Sequence, residues 1–177
     1  MPKLVLFIAS SLDGYIARSS GDVDWLFTDQ DYGYGDFFAN IDTVLMGRKT
    51  YEQIQLFGEY PYKGTQGFVF SRSRGGERNE DIEFVSSGLT SFVEKLKSRT
   101  GKNIWLVGGA DIIQSCLQQD LIDEFIISMH PIILGEGIRL FRPPLAIKNL
   151  SFLRCETFNT GLVQLTYTCQ RELDNTG

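Results

Sequence analysis

The chain has 177 residues, with 42% hydrophobic and 22% charged side chains, and this balance predicts one ordinary globular domain over residues 1–177. The formal net charge of −5 provides no surplus positive charge for nucleic acid or for an anionic membrane surface, so we expect neither as a partner. Three distant cysteines and one histidine exclude a disulfide framework and leave too few ligands for a zinc site, and the lack of a long apolar segment predicts a cytoplasmic protein.

Short apolar runs alternate with glycine-rich turns and amphipathic stretches along the first two thirds of the chain. A continuous apolar run such as residues 3–9 (KLVLFIA) is typical of a strand that is buried on both faces. The segment over residues 10–35 contains four glycines and no clean period, so we expect a long loop of the kind that often carries function. In chain order, the pattern predicts helices over residues 31–40, 51–54, 89–99 and 110–117, and strands over residues 3–9, 43–46, 67–70, 82–85, 103–107 and 122–129.

Strands dominate the last third of the chain. Residues 131–141 are apolar with two glycines, and residues 150–157 and 162–169 have the pattern of a closing β-hairpin. Alternating strands and helices are typical of a parallel sheet covered on both faces, whereas a hairpin adds antiparallel strands at an edge. The sequence therefore predicts an α/β sandwich with a mixed, mostly parallel sheet and an antiparallel C-terminal hairpin.

Three turns that follow predicted strands carry groups suited to phosphate. Residues 47–50 (GRKT) place two cations and a hydroxyl at a helix start, residues 71–74 (SRSR) offer hydroxyls and guanidinium groups, and residues 108–110 (GGA) expose backbone N–H groups. Ligands of open α/β sheets bind at the carboxyl ends of the strands, which is where these turns lie. Each motif alone is more often only a polar or tight turn, but together they predict a site for a dinucleotide with an additional phosphate.

Two sets of motifs connect the chain to a known superfamily. Residues 46–52 (MGRKTYE) closely resemble the M-G-R-x-T-W-E signature of dihydrofolate reductases, and residues 107–110 (VGGA) resemble the strand–Gly-Gly turn of the same enzymes. Residues 11–17 (SLDGYIA), followed by Gly21 and Trp25, look more like the reductase domain of riboflavin biosynthesis, as does the later segment from Pro131 to Phe141. The resemblance extends over nearly the whole chain, from Leu4 to about Tyr167.

The resemblance implies a dihydrofolate-reductase-like three-layer sandwich and NADPH as the hydride donor. It implies that Ala9 and Ile16 hold the nicotinamide carboxamide through their backbones, and that Trp25 lies in a mobile loop over the nicotinamide. It also implies a cis peptide between Gly108 and Gly109. Residues implied to bind the cofactor phosphates and the adenosine end are Gly47, Arg48, Thr50, Ser71, Arg72, Gly108, Gly109, Ala110, Asp111 and Ile112.

A reduction at a C=N bond needs a proton donor, or a carboxylate that orients a water, near the nitrogen. The resemblance to dihydrofolate reductases places such a residue at Asp31, counted back from the M-G-R motif without a gap. The alternative is that Asp31 only begins the first helix, where the helix dipole favours a carboxylate. Asp13, Asp29 and Asp36 are further candidates, and His130, which stands directly before a proline, is expected to be structural.

The resulting hypothesis is an NADPH-dependent reductase that transfers a hydride to a small heterocyclic substrate, similar to 5-amino-6-(5-phosphoribosylamino)uracil reductase. Residues 63–67 (KGTQG) contain no arginine where folate enzymes bind the substrate's glutamate, and the chain has no room for the zinc deaminase domain usual in riboflavin enzymes. Two alternatives stay open, a dihydrofolate reductase and a non-catalytic NADPH-binding protein. Riboflavin-type relatives also suggest a homodimer formed through the apolar C-terminal segments.

Overall fold

The computed structural model describes residues 1–170, which form one large sheet covered by helices on both faces. The domain prediction extends to residue 177, and residues 171–177 lie outside the described residues. The helices are α1 (Tyr34–Ala39), α2 (Arg48–Leu56), α3 (Leu89–Ser98) and α4 (Ala110–Gln118). The strands are β1 (Leu4–Ser11), β2 (Tyr15–Ala17), β3 (Ile41–Gly47), β4 (Gln66–Phe70), β5 (Ile82–Val85), β6 (Asn103–Gly108), β7 (Glu124–His130), β8 (Ile138–Arg139), β9 (Leu150–Thr157) and β10 (Val163–Cys169).

The sheet has eight strands in the order β5-β4-β3-β6-β1-β7-β10-β9. The first six strands in this order, from β5 to β7, run parallel to one another, whereas β10 runs antiparallel to β7 and β9 antiparallel to β10. The short strands β2 and β8 form a separate antiparallel pair. The mixed, mostly parallel sheet with an antiparallel C-terminal hairpin is thus confirmed.

Two apolar cores explain why the central strands are apolar on both faces. Leu6 and Leu106 point to the side that α3 and α4 cover, where they are fully buried. Val44, Met46 and Trp105 point to the opposite side, which α1 and α2 cover. Strands covered in this way have no solvent-facing side, so they read as continuous apolar runs. The helix–sheet–helix arrangement is the three-layer sandwich expected from the sequence.

The differences from the predicted elements have local causes. Helix α1 begins at Tyr34 and not at residue 31, because Tyr32 and Gly33 have φ angles of 53° and 77°, which no right-handed helix accommodates. Helix α2 begins directly after β3, three residues earlier than its apolar spacing indicated. No sequence pattern predicts β2 and β8, which have 3 and 2 residues and are too short to show a period.

The described residues contain neither a membrane-spanning helix nor a metal-binding cluster. Between residues 1 and 170, no helix has the length and apolar character needed to cross a membrane. The same residues contain no group of three or more histidine, cysteine, aspartate and glutamate side chains placed to hold a metal ion.

Candidate functional site

The carboxyl ends of β4, β3, β6 and β1 are neighbours in the sheet, so the turns that follow them meet at one edge. Gly47 at the end of β3 stands opposite Phe70 in β4, and Met46 stands opposite Gly108 in β6. The three turns that the sequence predicted for phosphate therefore lie side by side. This is the edge at which open α/β sheets bind their ligands.

Two helices begin at this edge without a side-chain cap. Helix α2 follows Gly47 and helix α4 follows Gly109, and neither glycine provides a side chain that accepts a hydrogen bond from the first turn. The first N–H groups of a helix have no partner within the helix, and the helix dipole gives this end a partial positive charge. Two such ends placed together form a site for an anion with several oxygens, such as a pyrophosphate.

The two turns touch each other closely. A Cβ atom added to Gly109 would lie 3.0 Å from Thr50 Oγ1, and one added to Gly47 would lie 3.8 Å from the backbone nitrogen of Gly109 and 3.8 Å from Ile112 Cγ2. Gly108 has a φ of 126°, a conformation that favours glycine, and the expected cis peptide between Gly108 and Gly109 is present. The structure thus brings together five of the predicted residues.

Ser71 and three cations extend this site toward β4. Ser71 is 7% exposed, and its Oγ is buried with no hydrogen-bond partner. Arg72 and Lys49 are exposed, and Arg48 lies 3.6 Å from Glu52 in an ion pair open to solvent. A buried hydroxyl without a partner costs free energy, which a phosphate oxygen would recover. The residues at the end of β4 therefore fit a second phosphate group.

The residues predicted for the nicotinamide end lie on the other side of Gly108. Ala9 is half-buried near the end of β1, and Ile16 is half-buried in β2. The turn between these strands is held by Asp13, whose carboxylate accepts hydrogen bonds from the backbone of Leu134 (3.1 Å) and Gly135 (2.8 Å). The pKa of Asp13 is lowered mainly by the hydrogen bond from the Ser11 hydroxyl and also by these two backbone N–H groups, so this carboxylate is an ionised anchor and a poor proton donor.

Trp25 packs at the end of β7, two strands away from β6. Its ring is 8% exposed and meets the His130 ring edge-on, with centroids 5.2 Å apart, while its Nε1 is buried without a partner. His130 Nε2 accepts a hydrogen bond from the backbone of Phe27 (3.2 Å), and Nδ1 lies 3.1 Å from the carbonyl oxygen of Ser128, to which it donates. Burial lowers the pKa of His130. The neutral His130 ring thus connects the loop that contains Trp25 and Phe27 to the sheet, in agreement with the structural role expected for His130.

Asp31 lies three residues before α1 and is exposed. Both of its carboxylate oxygens accept the backbone N–H of Gly35, at 3.1 Å each, so Asp31 caps the first turn of the helix. The cap is one of the two roles that the sequence left open, and it fixes the direction of the carboxylate. Asp29 accepts a hydrogen bond from the Tyr32 hydroxyl (2.6 Å), which lowers the pKa of Asp29. Asp36 is exposed on α1.

A cavity of about 310 Å³ lies between α1 and the sheet. It is lined by the first half of β1, at Val5 and Phe7, and by Glu124 at the start of β7. The lining of the cavity includes none of residues 47–50, 71–74 and 108–110. The cavity is therefore separate from the turns at the carboxyl edge.

Sequence reasoning missed one charged residue beside the predicted turns. Arg142 Nη2 lies 2.6 Å from Asp111 Oδ1 in the first turn of α4, and Arg142 Nε is buried without a partner. No motif marks this arginine, because its position depends on how the chain after β8 folds across α4. A polar contact at that crossing joins Gln114 Nε2 to the carbonyl oxygen of Pro144, at 3.2 Å.

A family model and two relatives match most of this chain. The family model described as the RibD C-terminal domain matches residues 2–164. The uncharacterised protein YwjB of Bacillus subtilis (strain 168) is 42% identical over 143 residues, which is 78% of this chain and 82% of YwjB. The uncharacterised protein YyaP of the same organism is 37% identical over 180 residues, which is 93% of this chain and 94% of YyaP.

Solved structures give the same fold. A candidate riboflavin biosynthesis protein from Shewanella sp. PV-4 superposes with a TM-score of 0.85 at 29% identity, over 96% of this chain and 99% of the other. A deaminase/5-amino-6-(5-phosphoribosylamino)uracil reductase from Thermotoga maritima has a TM-score of 0.73 at 18% identity, over 96% of this chain and 57% of its own. Dihydrofolate reductase from Enterococcus faecalis, complexed with NADP(H), has a TM-score of 0.71 at 12% identity, over 96% and 97%. The last two likenesses establish the dihydrofolate-reductase-like fold alone.

Proposed function

The chain belongs to the RibD C-terminal domain family, and on this premise we propose that it is an NADPH-dependent reductase that transfers a hydride to a small heterocyclic substrate. One observation carries the proposal. The uncapped first turns of α2 and α4 meet at Gly47, Thr50 and Gly109, beside the unpartnered hydroxyl of Ser71. Two helix ends and a buried hydroxyl in one edge fit a ligand with two separated phosphate groups.

The dinucleotide would lie along the carboxyl edge of the sheet. The backbone N–H groups of residues 110–112 and the hydroxyl of Thr50 would bind the pyrophosphate. Ser71, Arg72 and Arg48 would bind the 2'-phosphate, since this phosphate needs a hydroxyl and guanidinium groups close together. Ala9 and Ile16 would hold the carboxamide of the nicotinamide through backbone groups. This order along the edge follows the strand order β4-β3-β6-β1.

The chemistry divides between the cofactor and the chain. When bound, NADPH supplies a hydride to the carbon of a C=N bond, and the nitrogen must gain a proton to complete the reduction. Asp31 is the residue we assign to that proton, either directly or through a water that its carboxylate orients. Its orientation is fixed by the backbone of Gly35, and Asp13 and Asp29 are held ionised by neighbouring hydroxyls.

The substrate assignment rests on the family. The reductase from Thermotoga maritima is named for a phosphoribosylamino-uracil, and we propose a ribosylamino-pyrimidine or a related heterocycle for this chain. A folate is less favoured, because Lys63 is the one cation in residues 63–67 and is paired with Glu59 at 3.1 Å. The proposed soluble, cytoplasmic homodimer remains a prediction. Its interface would use the exposed apolar side chains Leu150, Phe152 and Leu153 of β9.

A turnover assay tests this function. The purified protein is mixed with NADPH and, in separate reactions, with 5-amino-6-(5-phosphoribosylamino)uracil or dihydrofolate, and the loss of nicotinamide absorbance is followed. We expect oxidation of NADPH with the pyrimidine and little with dihydrofolate. Faster turnover of dihydrofolate would make the chain a dihydrofolate reductase. Tight NADPH binding without turnover of either compound would leave a cofactor-binding protein and refute the assigned reaction.

A further inference from the structure

A connecting segment, residues 141–148, crosses the length of α4 and brings one cation to each end of this helix. Arg142 pairs with Asp111 in the first turn, and Lys148 pairs with Asp120 just beyond the last turn. Between these contacts, Gln114 donates a hydrogen bond to the carbonyl oxygen of Pro144. The segment thus carries two comparable ion pairs, of which one lies at the anion-binding end of the helix and the other lies at the opposite end.

Asp111 is in an unfavourable place for the proposed cofactor. In a helix without a bound anion, a carboxylate in the first turn is stabilising, because it interacts favourably with the positive end of the helix dipole. The proposed function puts a pyrophosphate at the same turn, and two anions there repel each other. A positive charge beside Asp111 offsets this repulsion, and the guanidinium of Arg142 supplies such a charge, at 2.6 Å.

The contacts of Arg142 leave one of its donors unused. The side chain is 39% exposed and its partner Asp111 is 76% exposed, so the pair is a surface ion pair of the kind that adds little to stability. Arg142 Nε is nevertheless buried and donates to no acceptor, and Gln114 Oε1 nearby along the same crossing is buried and accepts no donor. The guanidinium carries five N–H donors, and the one printed contact, from Nη2 to Asp111, leaves the others available to an anion beside the first turn of α4.

We propose that Arg142 is a binding residue for the pyrophosphate of the dinucleotide and that Asp111 competes with the phosphate for the same guanidinium. This inference rests on the proposed function and adds a residue that the sequence did not indicate. The pyrophosphate is common to NADPH and NADH, whereas the 2'-phosphate is not. Arg142 therefore contributes to the affinity for both cofactors, in contrast to the residues at the end of β4.

Breaking the ion pair from its two sides tests this role. Arg142→Ala removes a charged hydrogen bond to phosphate and is expected to raise the Kd of NADPH and of NADH about tenfold each. Asp111→Asn frees the guanidinium and removes a repelling charge, so both Kd values are expected to fall by about threefold. Arg142→Lys keeps the charge without the forked geometry and is expected to lie between wild type and Arg142→Ala.

The pair at the other end of α4 supplies matched controls. Lys148→Ala and Asp120→Asn change the net charge by the same amounts at the opposite end of α4, and they are expected to leave both Kd values within twofold of wild type. Circular dichroism and thermal melting verify that each variant is folded. Titration of each variant with NADPH and with NADH, followed by fluorescence, gives the Kd values.

The role is supported if Arg142→Ala raises both Kd values and Asp111→Asn lowers them, while the two control variants leave them unchanged. If both variants weaken binding, the pair serves only to hold the segment against α4, and the inference is wrong. An Arg142→Ala variant that matches Lys148→Ala also overturns it, while leaving the proposed function intact. A wild-type protein that binds neither cofactor would instead refute the proposed function and this inference together.

Discussion

Replacing Gly109 with alanine perturbs the candidate site at the contact between its two helix starts. The added methyl carbon would lie 3.0 Å from Thr50 Oγ1, closer than the 3.4–4 Å of ordinary contact, so the hydroxyl must move by a few tenths of an ångström. Overpacking of this kind costs about 1–3 kcal/mol of stability. Displacing a hydroxyl that binds phosphate costs a further hydrogen bond to a charged group, about 1.5–3 kcal/mol, which raises the Kd of NADPH by about 10- to 100-fold.

Urea unfolding and a fluorescence titration with NADPH separate these two effects. Thr50→Ala removes the contact, so the double variant with Gly109→Ala is expected to regain most of the lost stability. It is not expected to regain affinity, since the hydroxyl is gone. A folded Gly109→Ala variant with the wild-type Kd for NADPH would refute the argument that the two turns share one phosphate site.

Three further predictions concern single side chains. Arg48→Ala is expected to weaken NADPH binding by about 1.5–3 kcal/mol and NADH binding much less. Parallel titrations with the two cofactors measure this difference. Equal losses of affinity for both would contradict the assignment of Arg48 to the 2'-phosphate. Asp31→Asn is expected to keep the Kd of NADPH and to lower kcat, because the amide cannot supply the proton; an unchanged rate removes Asp31 from the mechanism. Burial lowers the pKa of His130 from 6.5, so below that pH the unfolded chain binds more protons than the folded protein. The free energy of unfolding is therefore expected to fall as the pH drops below about 6.5 toward the lowered pKa. Unfolding curves across that range, with His130→Gln as the variant that loses the dependence, check the last prediction.

The order of elements was predictable because each central strand is apolar on both faces and each turn is marked by glycine. Strand β5 (Ile82–Val85) has the predicted bounds, and the strand–Gly-Gly–helix unit around Gly108 is present as expected. The predicted start of α1 at residue 31 was wrong, because the left-handed conformation of Tyr32, a non-glycine residue, carries no signal in the sequence. Boundaries of this kind depend on tertiary contacts, here the hydrogen bond from the Tyr32 hydroxyl to Thr160.

The candidate site was predictable in its turns and not in its surroundings. Residues 47–50 and 108–112 are consecutive, so their motifs were visible, and the parallel strands bring them together. Arg142 belongs to a segment without regular structure, and its contact with Asp111 spans 31 residues. The buried, unpartnered hydroxyl of Ser71 is likewise a property of packing around β4, which no local pattern records.

A titration of the wild-type protein with NADPH and, in parallel, with NADH tests most directly whether the carboxyl edge of the sheet binds a phosphorylated dinucleotide. The fluorescence of the nicotinamide, excited through Trp25 or Trp105, reports binding. We predict saturable, micromolar binding of NADPH and at least about tenfold weaker binding of NADH, the effect of one charged hydrogen-bonding group on the 2'-phosphate. A folded protein that binds neither cofactor, or binds both equally, would contradict the assignment of Ser71, Arg72 and Arg48.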